Sequence, residues 1–274
     1  MTKEHLSPPC YFKRSQGGFE PTRLARNPWF DNAIAGGPTA ALFGLVIEQA
    51  GFDPQFAIAR ITIDILGRVP SALLFATVTP VRQGRQMQLH RIDLVHDGRV
   101  VAQAHVLLCR DLTTPAFPAP FDYPLPETLD DSLVLVGATM AGAIRTRPIM
   151  GSVRDPGRGV IWLAMDGEVV QGESVSPFLK ACLFADFGNG VGCSTRAQEW
   201  SFANLDINIQ FLRMPVGDWI LLDAQTIGGG NGHAVAENVL ADRDGVFAKG
   251  TQTIFVAPGS AGIKLRVAGD SGVG

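Results

Sequence analysis

The sequence SPFLKACLFADFGNGVG, residues 176–192, contains an acid at the end of an apolar stretch and directly before three closely spaced glycines. Its apolar side chains recur at helical spacing, and either Ser174 or Ser176 can cap the helix that this spacing predicts. Gly188 can end that helix. Asp186 therefore lies on the edge of the apolar stripe, where an acid must find hydrogen-bond partners or stay protonated.

The helix is one part of a pattern that occurs twice in the chain. We predict helices over residues 38–50 and 176–187, each followed by an antiparallel meander of about four strands. The first strand of each meander is predicted over residues 59–70 and 204–215, and an Asp-Gly pair later in each half marks a hairpin. A further strand is predicted ahead of each helix. Each half is therefore expected to be an α+β unit.

The proline-rich residues 113–131 separate the two halves and predict an extended linker. We expect an N-terminal domain over residues 8–111, a linker over residues 112–139, a C-terminal domain over residues 140–258 and a loose tail over residues 259–274. Two such units can pair edge to edge, which protects the exposed strands, and a site would then lie between them.

The composition excludes several classes of protein. The chain has 274 residues, of which 46% are hydrophobic, and a net charge of −3 without a long basic run, so we expect no nucleic-acid partner. We find no signal peptide and no apolar run of membrane-spanning length, so we expect a cytoplasmic protein without a membrane partner. The four cysteines form no CxxC pair and the histidines no HExxH motif, so we expect neither a metal nor a cofactor. Cys109 and Cys182 lie in apolar segments and are predicted to be core thiols.

One helix beside an antiparallel sheet, present twice, resembles the tandem (double) hotdog architecture, in which two antiparallel sheets each wrap around a central helix. The chain resembles bacterial acyl-CoA thioesterases of the acyl-CoA thioesterase II type and their broader thioesterase-like relatives. The stretches that carry the resemblance are AGGPTAAL (35–42), FADFGNGV (184–191), NLDINIQFLRMP (204–215) with the following Asp218-Trp219, and DGVFAKGTQTIFV (244–256). The resemblance covers most of residues 10–258 and implies a homo-oligomer, a dimer or higher.

The resemblance also implies catalytic residues. The family uses an Asp near the hotdog helix, a Thr or Ser at the start of the next strand and a Gln on the last strand to orient and activate a water molecule. Carried over onto this sequence, these positions fall on Asp186, Asn204 and Gln252. Asn204 departs from the family pattern, although an amide can hold a water by hydrogen bonding, and Ser201 and Asp206 are nearby alternatives.

The residue pattern by itself leaves these roles open. Asp186 can act as a general base, or it can bond the amides of the glycine loop that follows it. Gln252 alternates with small and apolar residues, so it faces inward and needs a partner: water, a carboxylate or a neighbouring strand. The matching position in the first half is His105, so the first half is expected to carry a different site.

Three glycines are the candidate substrate-binding residues. Gly36 and Gly37 precede a proline at a helix start, whose amides can polarise a thioester carbonyl or bind phosphate; the alternative is a tight strand-to-helix turn. Gly188 can open backbone space for the thioester beside Asp186. Loop arginines are candidates for contacts with the phosphates of CoA: Arg68, Arg82 and Arg85.

The resemblance implies an acyl-CoA thioesterase of lipid metabolism, which hydrolyses an acyl-CoA thioester to a free acid and CoA by carboxylate-assisted attack of water. The chain contains no GxSxG motif, so a serine nucleophile is not expected. Two alternatives stay open: a non-catalytic acyl-CoA-binding protein and a hotdog enoyl-CoA hydratase. Such hydratases pair an Asp with a His, and no His follows Asp186 closely.

Overall fold

The computed structural model describes residues 7–28, 30, 32–132, 142–152, 155–193 and 199–258. In the first half of the chain, the elements are β1 (Cys10–Ser15), β2 (Gly18–Pro21), α1 (Gly36–Gln49), β3 (Phe56–Ile65), β4 (Phe75–Gln83), β5 (Met87–His96) and β6 (Arg99–Arg110). In the second half, they are β7 (Ile144–Ser152), β8 (Asp155–Met165), β9 (Glu168–Val170), α2 (Pro177–Ala185), α3 (Gly188–Val191), β10 (Trp200–Asn204), β11 (Asp206–Phe211), β12 (Trp219–Gly228), β13 (His233–Asp242) and β14 (Gly245–Pro258).

A single antiparallel sheet of 11 strands runs through both halves. Its order is β4-β5-β6-β3-β11-β14-β13-β12-β8-β7, and β10 pairs with the far end of β14. The halves meet where β3 pairs with β11, with Ile61 opposite Ile209 and both side chains buried. The two units therefore pair edge to edge as expected, but this pairing joins the two expected sheets into one continuous sheet.

The strands ahead of the first helix lie outside the large sheet, and Phe19 of β2 reaches the first meander through an isolated bridge to Leu74. Strand β1 pairs with β2 and, in parallel, with β9 of the second half, so that Cys10 lies opposite Glu168. This small sheet ties the start of the chain to the segment that leads into α2.

The helices α1 and α2 pack against each other in antiparallel orientation. Glycines of α1 allow the two helices to approach closely. Gly37, near the start of α1, lies against the end of α2, and Gly44 lies against Cys182. At the opposite end of the pair, Ser176 Oγ donates a hydrogen bond to Glu48 Oε1 (2.5 Å). None of the described helices is long and apolar enough to cross a membrane, and α1 has 14 residues.

Helix α2 ends earlier than expected. Ser176 caps its N-terminus by accepting a hydrogen bond from Leu179 N (3.1 Å), in agreement with the prediction. However, the helix ends at Ala185, and Gly188 begins α3 instead of ending α2. The carbonyl groups of Ala185 and Asp186 accept hydrogen bonds from side-chain amides of the sheet, which replace the backbone donors of a further helical turn.

The linker segment, residues 111–125, has no helix or strand and covers the outer face of the sheet in the second half. Phe121 and Tyr123 pack near Trp162, whose indole N–H donates to Pro124 O (2.9 Å). Residues 121–124 of the extended linker therefore pack against the sheet, whereas residues 111–118 are exposed.

Two cysteines differ in their burial. Cys182 of α2 is a core thiol as predicted, whereas Cys109 is exposed, so the prediction for Cys109 is wrong. Cys109 lies where β6 leaves the core, and the inward alternation of that strand ends at Leu108.

Replacing Gly44 by valine is expected to destabilise the fold by about 1–3 kcal/mol, because the added carbon atoms overpack the contact between the helices. A β-carbon at this position would already lie 3.0 Å from Cys182 Sγ and 3.1 Å from Leu179 Cδ2. The measurement is the urea midpoint of unfolding. Gly67→Val is the matched control, since a β-carbon on Gly67 would meet no atom within 4 Å. Equal midpoints for the two variants would contradict the close helix contact.

Candidate active site

The carboxyl group of Asp186 lies at the junction of the two helices. Asp186 is the C-cap of α2, and its carboxylate faces the N-terminus of α1, where it interacts with the backbone amide of Gly37. A β-carbon on Gly36 would collide with Asp186 Oδ1, so this approach requires glycine there. Ala35, the N-cap of α1, makes no side-chain capping bond, so Asp186 supplies the negative charge that a helix N-terminus favours.

Asn204 contacts the Asp186 carboxylate directly. Its Nδ2 donates to Asp186 Oδ1 (2.5 Å) and lies 3.3 Å from Asp186 O. Asn204 is the last residue of β10, and the ladder breaks at Leu205, whose N–H donates to Thr253 O (2.8 Å). The strand predicted over residues 204–215 is present as β11 over Asp206–Phe211, but its predicted bounds are wrong. The break leaves Asn204 beside the end of α2.

The two alternatives to Asn204 have other partners. Ser201 Oγ donates to Ala257 O (3.2 Å), and Asp206 Oδ1 accepts from Thr253 N (3.0 Å). Both side chains thus form hydrogen bonds with the backbone of β14. The geometry favours Asn204 as the residue that acts on Asp186.

Two amide side chains hold the main chain at the end of α2. Gln252 of β14 is fully buried, and its Nε2 donates to Asp186 O (2.8 Å). Asn238 of β13 is 3% exposed, and its Nδ2 donates to Ala185 O (3.0 Å). The sequence pattern did not single out Asn238, although its alternation with the small and apolar inward residues of β13 was an available signal.

Gly188 lies against the same two amides. A β-carbon on Gly188 would collide with Asn238 Oδ1 and would lie 2.5 Å from Gln252 Oε1. The absence of a side chain therefore serves close packing beside the site, and a contact of Gly188 with substrate stays a prediction.

The surroundings of Asp186 raise its pKa from the ordinary value of 3.8 to about 6. Burial is the main cause, because loss of hydration disfavours the carboxylate, and the hydrogen bonds from Asn204 and from the Gly37 backbone oppose this effect. A carboxyl group with a pKa near neutrality can take up and release a proton readily, which is the property that a general base needs.

The corresponding part of the first half is apolar. The hairpins β5–β6 and β13–β14 each carry a register shift at the same place before the turn, and aligning these shifts matches Val106 with Gln252 and Ile92 with Asn238. Val106 and Ile92 are both fully buried. The predicted match of Gln252 with His105 is wrong, because His105 lies between buried neighbours along β6 and so belongs to the other face of the sheet.

Other binding groups are sparse around this site. The described residues include no cluster of three or more metal-binding side chains. Arg68 belongs to a loop that is tied to the start of α1, because Val69 O accepts from Ile34 N (2.9 Å). Arg82 and Arg85 lie at the hairpin between β4 and β5, on the outer edge of the sheet. Of the three candidate arginines, Arg68 is the one that the fold ties to the segment leading into α1.

Solved hotdog structures share this arrangement of sheet and helices. A hotdog-fold protein of unknown function from Alicyclobacillus acidocaldarius is 17% identical, and the match covers 91% of this chain and 96% of that protein with a TM-score of 0.70. An acyl-CoA thioesterase II of Mycobacterium marinum is 16% identical over 91% of this chain and 96% of its own, with a TM-score of 0.67. A TesB protein of Mycobacterium avium subspecies paratuberculosis is 19% identical over 90% and 96%, with a TM-score of 0.65. The fold is therefore of the hotdog class.

Family models identify both halves of the chain. The acyl-CoA thioesterase N-terminal domain matches residues 25–109, and the acyl-CoA thioesterase C-terminal domain matches residues 111–256. No curated protein sequence matches the chain. The chain belongs to the acyl-CoA thioesterase family.

Asp186→Asn is expected to stabilise the protein at neutral pH. Because the folded-state pKa of about 6 lies above the ordinary 3.8, ionisation of this carboxyl favours the unfolded chain as pH rises through that window. The variant should match the wild type near pH 4 and exceed its free energy of unfolding by roughly 1–3 kcal/mol above pH 6. Urea unfolding from pH 4 to pH 8 measures this difference. Asp111→Asn is the control, because it removes one carboxyl group from an exposed position after β6, outside the site.

Proposed function

We propose that this chain hydrolyses acyl-CoA thioesters to a free acid and CoA by carboxylate-assisted attack of water. Membership of the family supports thioester hydrolysis in general. The observation that carries the mechanism is the carboxyl group of Asp186, which has a pKa of about 6 and faces the N-terminus of α1.

In the proposed reaction, Asp186 takes a proton from a water molecule while the water oxygen attacks the thioester carbonyl. A C–O bond forms, and negative charge develops on the carbonyl oxygen. The amide of Gly36 is the proposed donor to this oxygen, because a helix N-terminus carries unpaired N–H groups and a partial positive charge. The amide of Gly37 already bonds the Asp186 carboxylate, so a contact of Gly37 with substrate stays a prediction. The C–S bond then breaks, and the proton held by Asp186 passes to the departing thiolate of CoA.

Asn204 and Gln252 are proposed to serve this step in different ways. Asn204 holds Asp186 Oδ1 through its Nδ2, which leaves its own Oδ1 as an acceptor for the attacking water. Gln252 holds the main chain of Asp186, so it fixes where the carboxyl group lies. An amide at the position of Asn204 can thus support the base without the hydroxyl group that the family pattern has there.

Hydrolysis is favoured over hydration of an enoyl-CoA. Within the described part of the chain, the hydrogen bonds to Asp186 come from amide groups, and no histidine contributes one. A non-catalytic acyl-CoA-binding protein is the second alternative. Measurement of thiol release, described below, distinguishes it from a thioesterase. A homo-oligomer, a cytoplasmic location, a role in lipid metabolism and the domain boundaries given above stay predictions.

The test is release of free thiol from short, medium, long and aromatic acyl-CoAs. We expect Asp186→Asn to lower kcat by about 10²–10⁴-fold, because that is the usual contribution of general base catalysis. Asp206→Asn is the matched control. It makes the same change from acid to amide at the start of β11, and asparagine keeps the acceptor for Thr253 N. The control should retain its rate within a few-fold.

Three outcomes would count against the proposal. Full turnover by Asp186→Asn would remove Asp186 as the base. Micromolar binding of acyl-CoA without thiol release would identify a binding protein. Loss of enoyl absorbance without thiol release would identify a hydratase.

The rate should also depend on pH in a defined direction. Because the base must be ionised to accept a proton, kcat/KM should rise with pH through about 6 and fall as pH drops below that value. Initial rates of thiol release between pH 4.5 and 8.5 measure this limb. A rate that stays level down to pH 4.5 would contradict the assignment.

A further inference from the structure

We propose that Asn238 is a positioning residue for Asp186, acting together with Gln252 through the last carbonyl groups of α2. We call these two side chains the carboxamide clamp. The inference rests on the proposed function, because it assigns a further residue to the same site.

The carboxamide clamp donates hydrogen bonds to two consecutive carbonyl groups. Asn238 Nδ2 donates to Ala185 O (3.0 Å), and Gln252 Nε2 donates to Asp186 O (2.8 Å). Both side chains are inside the protein, with Asn238 3% and Gln252 0% exposed. Two carbonyl groups at the C-terminus of a helix need donors, and here both donors come from strands of the sheet. The position of the Asp186 backbone is therefore fixed by the sheet.

The clamp leaves both of its own oxygen atoms without a partner. Asn238 Oδ1 and Gln252 Oε1 are buried and accept no hydrogen bond within the described part of the chain. Both oxygens instead lie against the backbone of Gly188. A buried acceptor without a partner costs about 1–3 kcal/mol, so stability alone does not account for two such groups side by side.

The first half shows that the fold does not need amides at these positions. Ile92 and Val106 occupy the corresponding places and are fully buried. Within the described residues, the polar pair lies beneath the helix end that carries Asp186 and has apolar counterparts in the first half. This difference between the halves assigns the clamp to the site.

Loss of Asn238 would remove one of the two side-chain donors that hold the end of α2. Without Asn238, Gln252 would be the one remaining side-chain donor of the clamp, and Ala185 O would lose its donor. The Asp186 carboxylate would then be less firmly held against the N-terminus of α1.

The first test compares Asn238→Leu with the wild type, because leucine has a similar size but cannot donate to Ala185 O. We expect kcat for acyl-CoA hydrolysis to fall about tenfold to a hundredfold with KM changed less than about threefold, since a misplaced base affects the chemical step more than binding. The melting temperature should change little, because the variant removes a buried acceptor that has no partner but also leaves Ala185 O without its donor. The control is Asn208→Leu, whose side chain donates to Asp206 Oδ1 (3.0 Å) on the other face of the sheet.

Asn238→Asp provides a second variant if the leucine variant does not fold. A protonated carboxyl can still donate to Ala185 O, whereas an ionised one cannot. We therefore expect the rising limb near pH 6 to be followed by a falling limb that the wild type lacks. The melting temperature over the same pH range checks that this fall is not caused by unfolding.

A readout without substrate separates this inference from the proposed function. The free energy of unfolding is measured against pH for the wild type and for Asn238→Leu, each with and without the additional Asp186→Asn change. Within each pair, the pH dependence of the difference gives the pKa of Asp186. In Asn238→Leu we expect this pKa to rise above about 6, because a carboxyl group that is less firmly held against α1 loses hydrogen bonding that opposes the effect of burial. Absence of thiol release by the wild type would overturn the proposed function. Unchanged kcat, or an unchanged pKa together with a lower melting temperature, would overturn the role of Asn238.

Discussion

The approach of one carboxylate to the N-terminus of a helix from the other half of the chain is the constraint on which this structure depends. It requires glycine at position 36, because any side chain would meet Asp186 Oδ1. It requires α2 to end at the right place, which the amides of β13 and β14 ensure. It also requires both helices to be held by one frame, and the pairing of β3 with β11 provides that frame.

The choice of partners decides how three acids of the second half behave. Burial raises the pKa of Asp223 and Asp242, yet hydrogen bonds from Arg158 and Arg213 outweigh it and leave the pKa of both carboxyl groups below the ordinary value. Asp186 is bonded by neutral amides, which oppose burial without a full charge, so its pKa stays raised. The structural acids are thereby kept ionised, and Asp186 is left able to exchange a proton.

Much of the fold could be predicted from the sequence, because elements with one buried face leave a period in their apolar residues. The repeat of helix and meander and the cap at Ser176 follow from such local patterns, and the resemblance to a known family brought Asp186, Asn204 and Gln252 together. The end of α2 could not be predicted, since its last carbonyls are bonded by side chains from distant strands. The match to His105 failed because the two Asp-Gly pairs occupy different places in their turns. Asp97 and Gly98 form the first turn, whereas Gly245 is already the first residue of β14, so aligning the pairs displaces the match by one residue and exchanges the faces of the strand.

The antiparallel helix pair has two junctions, and covalent fusion of the halves allows them to differ. At one junction a desolvated carboxylate lies over a polar clamp; at the other, the exposed Glu48 accepts from Ser176. A dimer of identical single-domain chains would repeat the same unfavourable burial at both junctions. In this tandem chain the energetic cost of an acid with a raised pKa arises once per pair of domains. The opposite junction is free to evolve for helix packing alone.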